Sequence, residues 1–209
     1  MTVTIDPDVR MGKRARAKEA NRKAILDAAR VVFARIGYEA TNIRDIIRET
    51  DLASGTFYNY FKSKEEVFEA LADDSVQRFR PLLQRVREEA RDLESYLVAA
   101  YGAYFNFLAE DNNQAIKEGA PHMSLIGVRV DTPEMQAVSE EIAADLEIVM
   151  DKIGLGHLDI DYITAAAIGM AREMGDHMLK RRPVDAKGAT EFASKLMLAG
   201  IEALAKSGR

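Results

Sequence analysis

A chain of 209 residues with 47% hydrophobic and 30% charged residues suits one large domain or a small domain joined to a larger one, and carries ample apolar material for a core. It contains no cysteine, which excludes disulfides and thiol chemistry; no apolar run approaches a membrane span, and the start Met1-Thr2-Val3-Thr4-Ile5-Asp6 lacks the apolar core of a signal peptide, so a cytoplasmic location is expected. The net charge of -5 is unevenly spread: residues 1–64 hold 13 Lys/Arg against 8 Asp/Glu, and residues 65–209 hold 16 against 26, so that only the N-terminal third is suited to meet phosphate.

Residues 1–13 read as a flexible basic arm. Arg10, Lys13, Arg14, Arg16 and Lys18 lead into a first helix, in which Ile25, Ala28, Ala29, Val32, Phe33 and Ile36 recur on one face. Gly37 is the expected C-cap. Asn42 caps a short second helix that turns Ile43, Ile46 and Ile47 inward. Thr50-Asp51-Leu52 forms a turn, and a third helix follows from about Ser54 to Tyr60, burying Phe57 and Phe61. Ser63 and Glu66 have the spacing of a capping box for a fourth helix, which Arg80-Pro81 should end or kink.

From about residue 92 the chain reads as long helices. One spans roughly Leu93–Glu110, with a break expected at Asp111-Asn112-Asn113 and a short helix to about Gly119. Another runs from about Pro133 to Ile153. The last two cover about Asp159–Leu179 and Asp185–Lys206. Regularly spaced β-branched runs are absent, so the expected fold is all-α with about nine helices. Small residues on the first of the final pair (Ala165, Ala166, Ala167, Gly169, Ala171, Gly175) allow close helix approach, and the pair is the expected homodimer surface.

The run from Thr41 to Lys64 has the form of a helix-turn-helix: two short apolar-periodic segments around a polar turn, then a compact set of Thr, Tyr, Asn and Lys. As it stands, with Gly37-Tyr38, Thr41, Ile43, Asp45-Ile46, Gly55-Thr56-Phe57-Tyr58, Tyr60-Phe61 and Lys64-Glu65, it resembles the TetR/AcrR-like family of bacterial transcriptional regulators. Two positions depart from that pattern. Asp51 stands where Gly is common, and because Asp tolerates a left-handed backbone better than most residues the turn is expected to survive; Ala53 precedes Ser54 where a Ser cap is common.

The resemblance implies a role for each residue of the motif. The helix opening at Ser54 enters the major groove of double-stranded DNA. Tyr58, Asn59 and Tyr60 lie on its exposed side, with Asn59 suited to an adenine edge. Gly55 and Thr56 sit near the helix N-terminus and its amides. Arg44 reaches a guanine edge or phosphate, and Lys64 a phosphate. The resemblance also implies an apolar small-molecule effector cavity among the middle helices, for which Tyr101, Phe105, Met123, Arg172 and His177 are the candidates.

No catalytic set, phosphate loop, dinucleotide fingerprint or metal-ligand spacing stands out, and no cofactor is expected; His157-Leu158-Asp159-Ile160-Asp161 reads as a helix start. The expected organisation is therefore a basic arm (1–13), a three-helix DNA-binding domain (14–62) and a helical effector-binding and dimerisation domain (63–209). Together they make a regulator, most simply a repressor released from a palindromic operator by a small molecule, without enzymatic activity or a membrane partner. Two alternatives stay open: an all-α enzyme, and a module that keeps the helix-turn-helix scaffold but binds another protein.

Overall fold

The computed structural model describes residues 12–117 and 132–207, and every regular element among them is helical. There are eight: α1 (Lys13–Ile36), α2 (Ile43–Glu49), α3 (Ser54–Tyr58), α4 (Lys64–Glu89), α5 (Leu93–Lys117), α6 (Pro133–Lys152), α7 (Ile160–Lys180) and α8 (Ala186–Ser207). They form two compact units whose boundary falls between Leu71 and Ala72, inside α4. Most of the basic arm, and Met123, lie outside the described residues; Lys13, Arg14, Arg16 and Lys18 belong to the first turns of α1.

In the first unit, α1 buries Ile25, Ala29, Val32 and Phe33, and Ile46 of α2, Phe57 of α3 and Val67 and Phe68 of α4 are buried with them. Aromatic rings organise its centre: Phe33, Tyr38 and Phe68 are mutually packed, with centroids 4.7–5.7 Å apart, close to the separations that aromatic pairs favour. Helices as short as α2 are not stable alone, and α2 begins with a complete reciprocal cap. The Asn42 side chain accepts the Asp45 amide (3.2 Å) while the Asp45 carboxylate accepts the Asn42 amide (3.0 Å).

Gly37 ends α1 as expected, with its amide bonded to the Phe33 carbonyl. Its backbone, at φ 82° and ψ 155°, lies in a region that only glycine occupies readily. The turn after α2 forms as expected, without a left-handed residue. Asp51 does not take the left-handed conformation, since every described residue with positive φ is a glycine. Thr50 makes that conformation unnecessary: its hydroxyl donates to the Ile47 carbonyl (2.9 Å) and accepts the Leu52 amide (3.2 Å), closing the turn with ordinary dihedrals.

The helix end allowed for at Pro81 and the break expected at Asp111-Asn112-Asn113 are also absent. α4 runs through Pro81, which is exposed, while Phe79, Leu83 and Val86 on the same helix are buried and hold the rod together. α5 runs through Asp111-Asn112-Asn113, so the separate short helix expected after that tripeptide is its continuation. Asp111 accepts Arg78 of α4 at 2.8 Å, and Asn112 is buried. Tertiary contacts thus outweigh the weak local preference of Asp and Asn against helix.

In the second unit, α5 is central and packs against α6, α7 and α8. Gly175 of α7 is buried against it: a Cβ there would lie 2.6 Å from Leu108 Cδ1, whereas Gly169, two turns earlier, faces open space. The small residues of α7 therefore serve two faces, one internal and one outward. Ion pairs tie α4 to α6: Arg80 binds Glu141, and Arg87 binds the buried Asp145 at 2.5 Å.

A substitution tests the role assigned to the α1 terminus. Gly37→Ala should lower stability by about 1–3 kcal/mol, the usual cost of a non-glycine residue in that backbone region. The shift in the urea midpoint measures it.

Candidate DNA interface and effector cavity

The short α3 sorts the residues of the candidate interface by side. Phe57 is fully buried, while Ser54, Gly55, Tyr58 and Asn59 are exposed, Tyr58 at 53%. The helix ends at Tyr58, and the amides of Asn59 and Tyr60 bond back three residues to the Thr56 and Phe57 carbonyls. That tighter turn leaves Tyr60 half-buried instead of on the exposed side. Thr56 is half-buried too, and its amide already donates to the Ala53 carbonyl at 2.8 Å, within the first turn of α3.

On α2, Arg44 is exposed, and so is Arg48 one turn later. Arg48 was not singled out from the sequence, although its i+4 spacing from Arg44 places it on the same helix face. Arg48 lies 4.0 Å from the Asp45 carboxylate on the same helix.

Lys64 is held differently. Its ammonium donates to the carbonyls of Tyr38 (3.0 Å), Glu39 (3.3 Å) and Thr41 (3.1 Å) and lies 4.6 Å from the Tyr38 ring centroid. Three donors meet three acceptors, so Lys64 ties the start of α4 to the loop between α1 and α2. The Tyr38 hydroxyl meanwhile donates to Glu65 at 3.3 Å. Burial, then the Glu65 charge, raises the Tyr38 pKa; a bond from the Glu65 backbone amide and another from Ser63 hold the Glu65 carboxyl below its usual range.

The second unit contains a cavity of about 430 Å³, within the roughly 300–1,000 Å³ of small-molecule sites. Its walls come from α4 (Phe79, Leu83), α5 (Tyr96, Leu97, Tyr101, Tyr104), α6 (Ile142, Leu146) and α7 (Ala167, Arg172). Of the candidates read from the sequence, Tyr101 and Arg172 line it. Phe105 does not: it is fully buried behind the wall, stacked on Tyr101 with centroids 6.0 Å apart. His177 does not either, and is exposed on α7; five residues beyond Arg172 on a helix is about 140° around the axis.

Polar groups in the cavity wall divide into committed and uncommitted. The Tyr101 hydroxyl donates to the Ala167 carbonyl at 3.3 Å, Ser139 to Met135, and Gln136 to Glu140. Burial raises the Tyr101 pKa to about 12 and pushes those of Tyr96 and Tyr104 upward as well, so all three are neutral phenols at ordinary pH. The Tyr96 hydroxyl is buried near Asp145 without a hydrogen bond of normal geometry. Among the described residues no cluster of His, Asp or Glu could hold a metal ion, and no helix is long and apolar enough to cross a membrane.

Residues 25–71 match the model of the bacterial regulatory proteins of the tetR family. A fatty acid metabolism regulator protein of Bacillus subtilis is 32% identical over 92 residues, 44% of this chain and 47% of that protein; the chain thus aligns with about half the length of that relative. An uncharacterised HTH-type transcriptional regulator of the same organism, YdgC, is 26% identical over 168 residues, 76% of this chain and 81% of its own. Among solved structures, the fatty acid degradation regulator FadR of Bacillus halodurans superposes with a TM-score of 0.68 at 22% identity, covering 86% of this chain and 95% of that one. This likeness extends the shared fold across both units.

The geometry at Lys64 separates two roles. Lys64→Met should destabilise the chain by about 1–3 kcal/mol through the loss of the charged hydrogen bonds to three carbonyls, measured by chemical denaturation. An unchanged midpoint together with weaker DNA binding would instead make Lys64 a phosphate ligand.

Proposed function

With a TetR-like chain and a tetR-family helix-turn-helix at its N-terminus as the premise, we propose that this protein is a sequence-specific, DNA-binding transcriptional regulator. In this reading it acts as a homodimeric repressor released from its operator by a small molecule. The observation that carries the proposal is the pairing, in one chain, of an exposed α3 face with a formed apolar cavity in the second unit. A solid core there would have favoured a protein-binding module. The reading includes cytoplasmic location and no enzymatic activity, in keeping with the regulators to which the chain is similar.

In the DNA complex, α3 is presented to the major groove. Tyr58 and Asn59 contact base edges or sugars, Arg44 contacts a guanine edge or phosphate, and Ser54, Gly55 and Thr56 pack against the backbone. Tyr60 and Lys64 contribute at the margin of this surface. A single α3 spans few base pairs, so tight specific binding calls for two copies on half-sites about 34–36 Å apart or multiples of it.

The dimer surface of the proposal is the outward face of α7 and α8. Phe192, Leu196 and Leu204 of α8 are 62%, 51% and 53% exposed, and Tyr162 of α7 is 78% exposed. On α8 they recur at i, i+4 and i+12, a single apolar stripe with the exposed Gly200 between them. Such a stripe is suited to self-association.

Release follows if an effector fits one arrangement of the second unit better than another. It can shift the equilibrium only by that difference in affinity. α4 is the connecting element: its first turns belong to the DNA-binding unit and its later turns supply Phe79 and Leu83 to the cavity wall.

Selection of bound duplexes from a random DNA pool should return a palindrome, and a metabolite panel should contain a compound that releases it. No enrichment at moderate salt would overturn the regulator reading. Tyr58→Ala should weaken operator binding about tenfold or more, equivalent to about 1–3 kcal/mol per lost base contact, without a change in thermal melting. Leu196→Glu combined with Phe192→Asp should yield a monomer in analytical ultracentrifugation and lose the palindrome.

A further inference from the structure

The cavity wall carries a charge that the fold itself does not use. Arg172 lines the cavity, and among the described residues it makes no hydrogen bond and no ion pair. Asp176, one turn further on α7, is near enough to act electrostatically on the same Tyr104 phenol as Arg172 does, yet it forms no ion pair with Arg172 among the described contacts. Arg172 is half-buried, and Arg is suited to hold a carboxylate through two parallel hydrogen bonds.

The remaining walls limit what can carry that carboxylate. Phe79, Leu83, Leu97, Ile142 and Leu146 are apolar, and the polar neighbours Tyr101, Ser139 and Gln136 already have partners. Tyr104, also on the cavity wall, makes no hydroxyl hydrogen bond among the described residues and is available as a second donor. At about 30 Å³ per water-sized group, 430 Å³ holds about 14 non-hydrogen atoms. The acidic excess of residues 65–209 does not oppose such a ligand strongly, because exposed charges are screened beyond about 8 Å at physiological salt.

We propose that the effector is a small amphiphilic carboxylate, its head group held by Arg172 with Tyr104 as a second donor and its apolar body packed between α4, α5 and α6. This deepens the effector reading given above and rests on it.

Calorimetry on the full-length protein with decanoate, 1-decanol and decanoyl-coenzyme A tests the assignment. Decanoate should bind at least tenfold more tightly than decanol. Arg172→Gln should abolish that preference while leaving decanol affinity unchanged, and Arg172→Lys should restore part of it. Retained operator binding by each variant shows that it is folded.

Equal affinity for decanoate and decanol, or a preference that survives Arg172→Gln, overturns the assignment while leaving the cavity as an effector site. Binding of the thioester alone also overturns it, because the charge then lies away from the acyl end. Should none of the three bind a protein that still holds its operator, the carboxylate assignment fails. The effector reading fails with it only if the metabolite panel also leaves the operator occupied.

Discussion

One helix has to satisfy two hydrophobic cores at once. α4 buries Val67, Phe68 and Leu71 in the first unit and Phe79, Leu83 and Val86 in the second. Neither α2 nor α3 is long enough to be stable by itself, so the helix-turn-helix depends on α1 and on the first turns of α4 for its core. The exposed Pro81 lies within the part of α4 flanked by buried Phe79 and Leu83. The burial of these neighbours offsets the lost amide donor, which in an isolated helix would cost about 3 kcal/mol. The later turns of α4 that line the cavity thus belong to the same helix as the turns that complete the core of the first unit.

Small helices leave many backbone groups to be satisfied, and the first unit meets this demand with side chains. Asn42 and Asp45 close the start of α2, Thr50 closes its end, and Ser63 accepts the Glu66 amide while Glu66 accepts the Lys62 amide. Lys64 gathers three carbonyls of the loop before α2. Residues that look like a polar, DNA-facing run thus divide into two sets. Those with internal partners build the turn, and those without them (Ser54, Tyr58, Asn59) are left for the solvent side.

The second unit shows the converse economy. Its buried polar side chains are few: Arg87 pairs with Asp145 and Tyr101 donates to the Ala167 carbonyl, while the side chains of Asn112 and Thr164 have no hydrogen-bond partner among the described residues. An apolar cavity of this kind survives because the helices around it are held from outside. Arg80 and Arg87 fasten α4 to α6, and the close contact of Gly175 with Leu108 fastens α7 to α5. Packing at these points leaves the wall between them unfilled, with Arg172 and Tyr104 among the residues that line it.

Much of this was legible in the sequence because it is encoded over short distances. The i, i+3, i+4 recurrence of Ile25, Ala29, Val32 and Phe33 marks α1, Gly37 marks its end, Asn42 marks the start of α2, and Phe57 identifies the buried side of α3. The all-helical class follows from the same local periodicity. What local pattern could not decide was whether a weak helix former would interrupt a helix: Asp111 and Asn112 do not, with Asp111 paired to Arg78 of α4 and Asn112 buried. Nor could it assign partners, since Lys64 is bound to carbonyls 23–26 residues earlier in the chain. Arg172 and His177 are equivalent as sequence, five positions apart on one helix, yet only the rotation of α7 against α5 puts Arg172 at the cavity and leaves His177 in solvent. Helix identity is set by neighbours along the chain, whereas the facing of each side chain is set by what packs across it, and that information exists only in three dimensions.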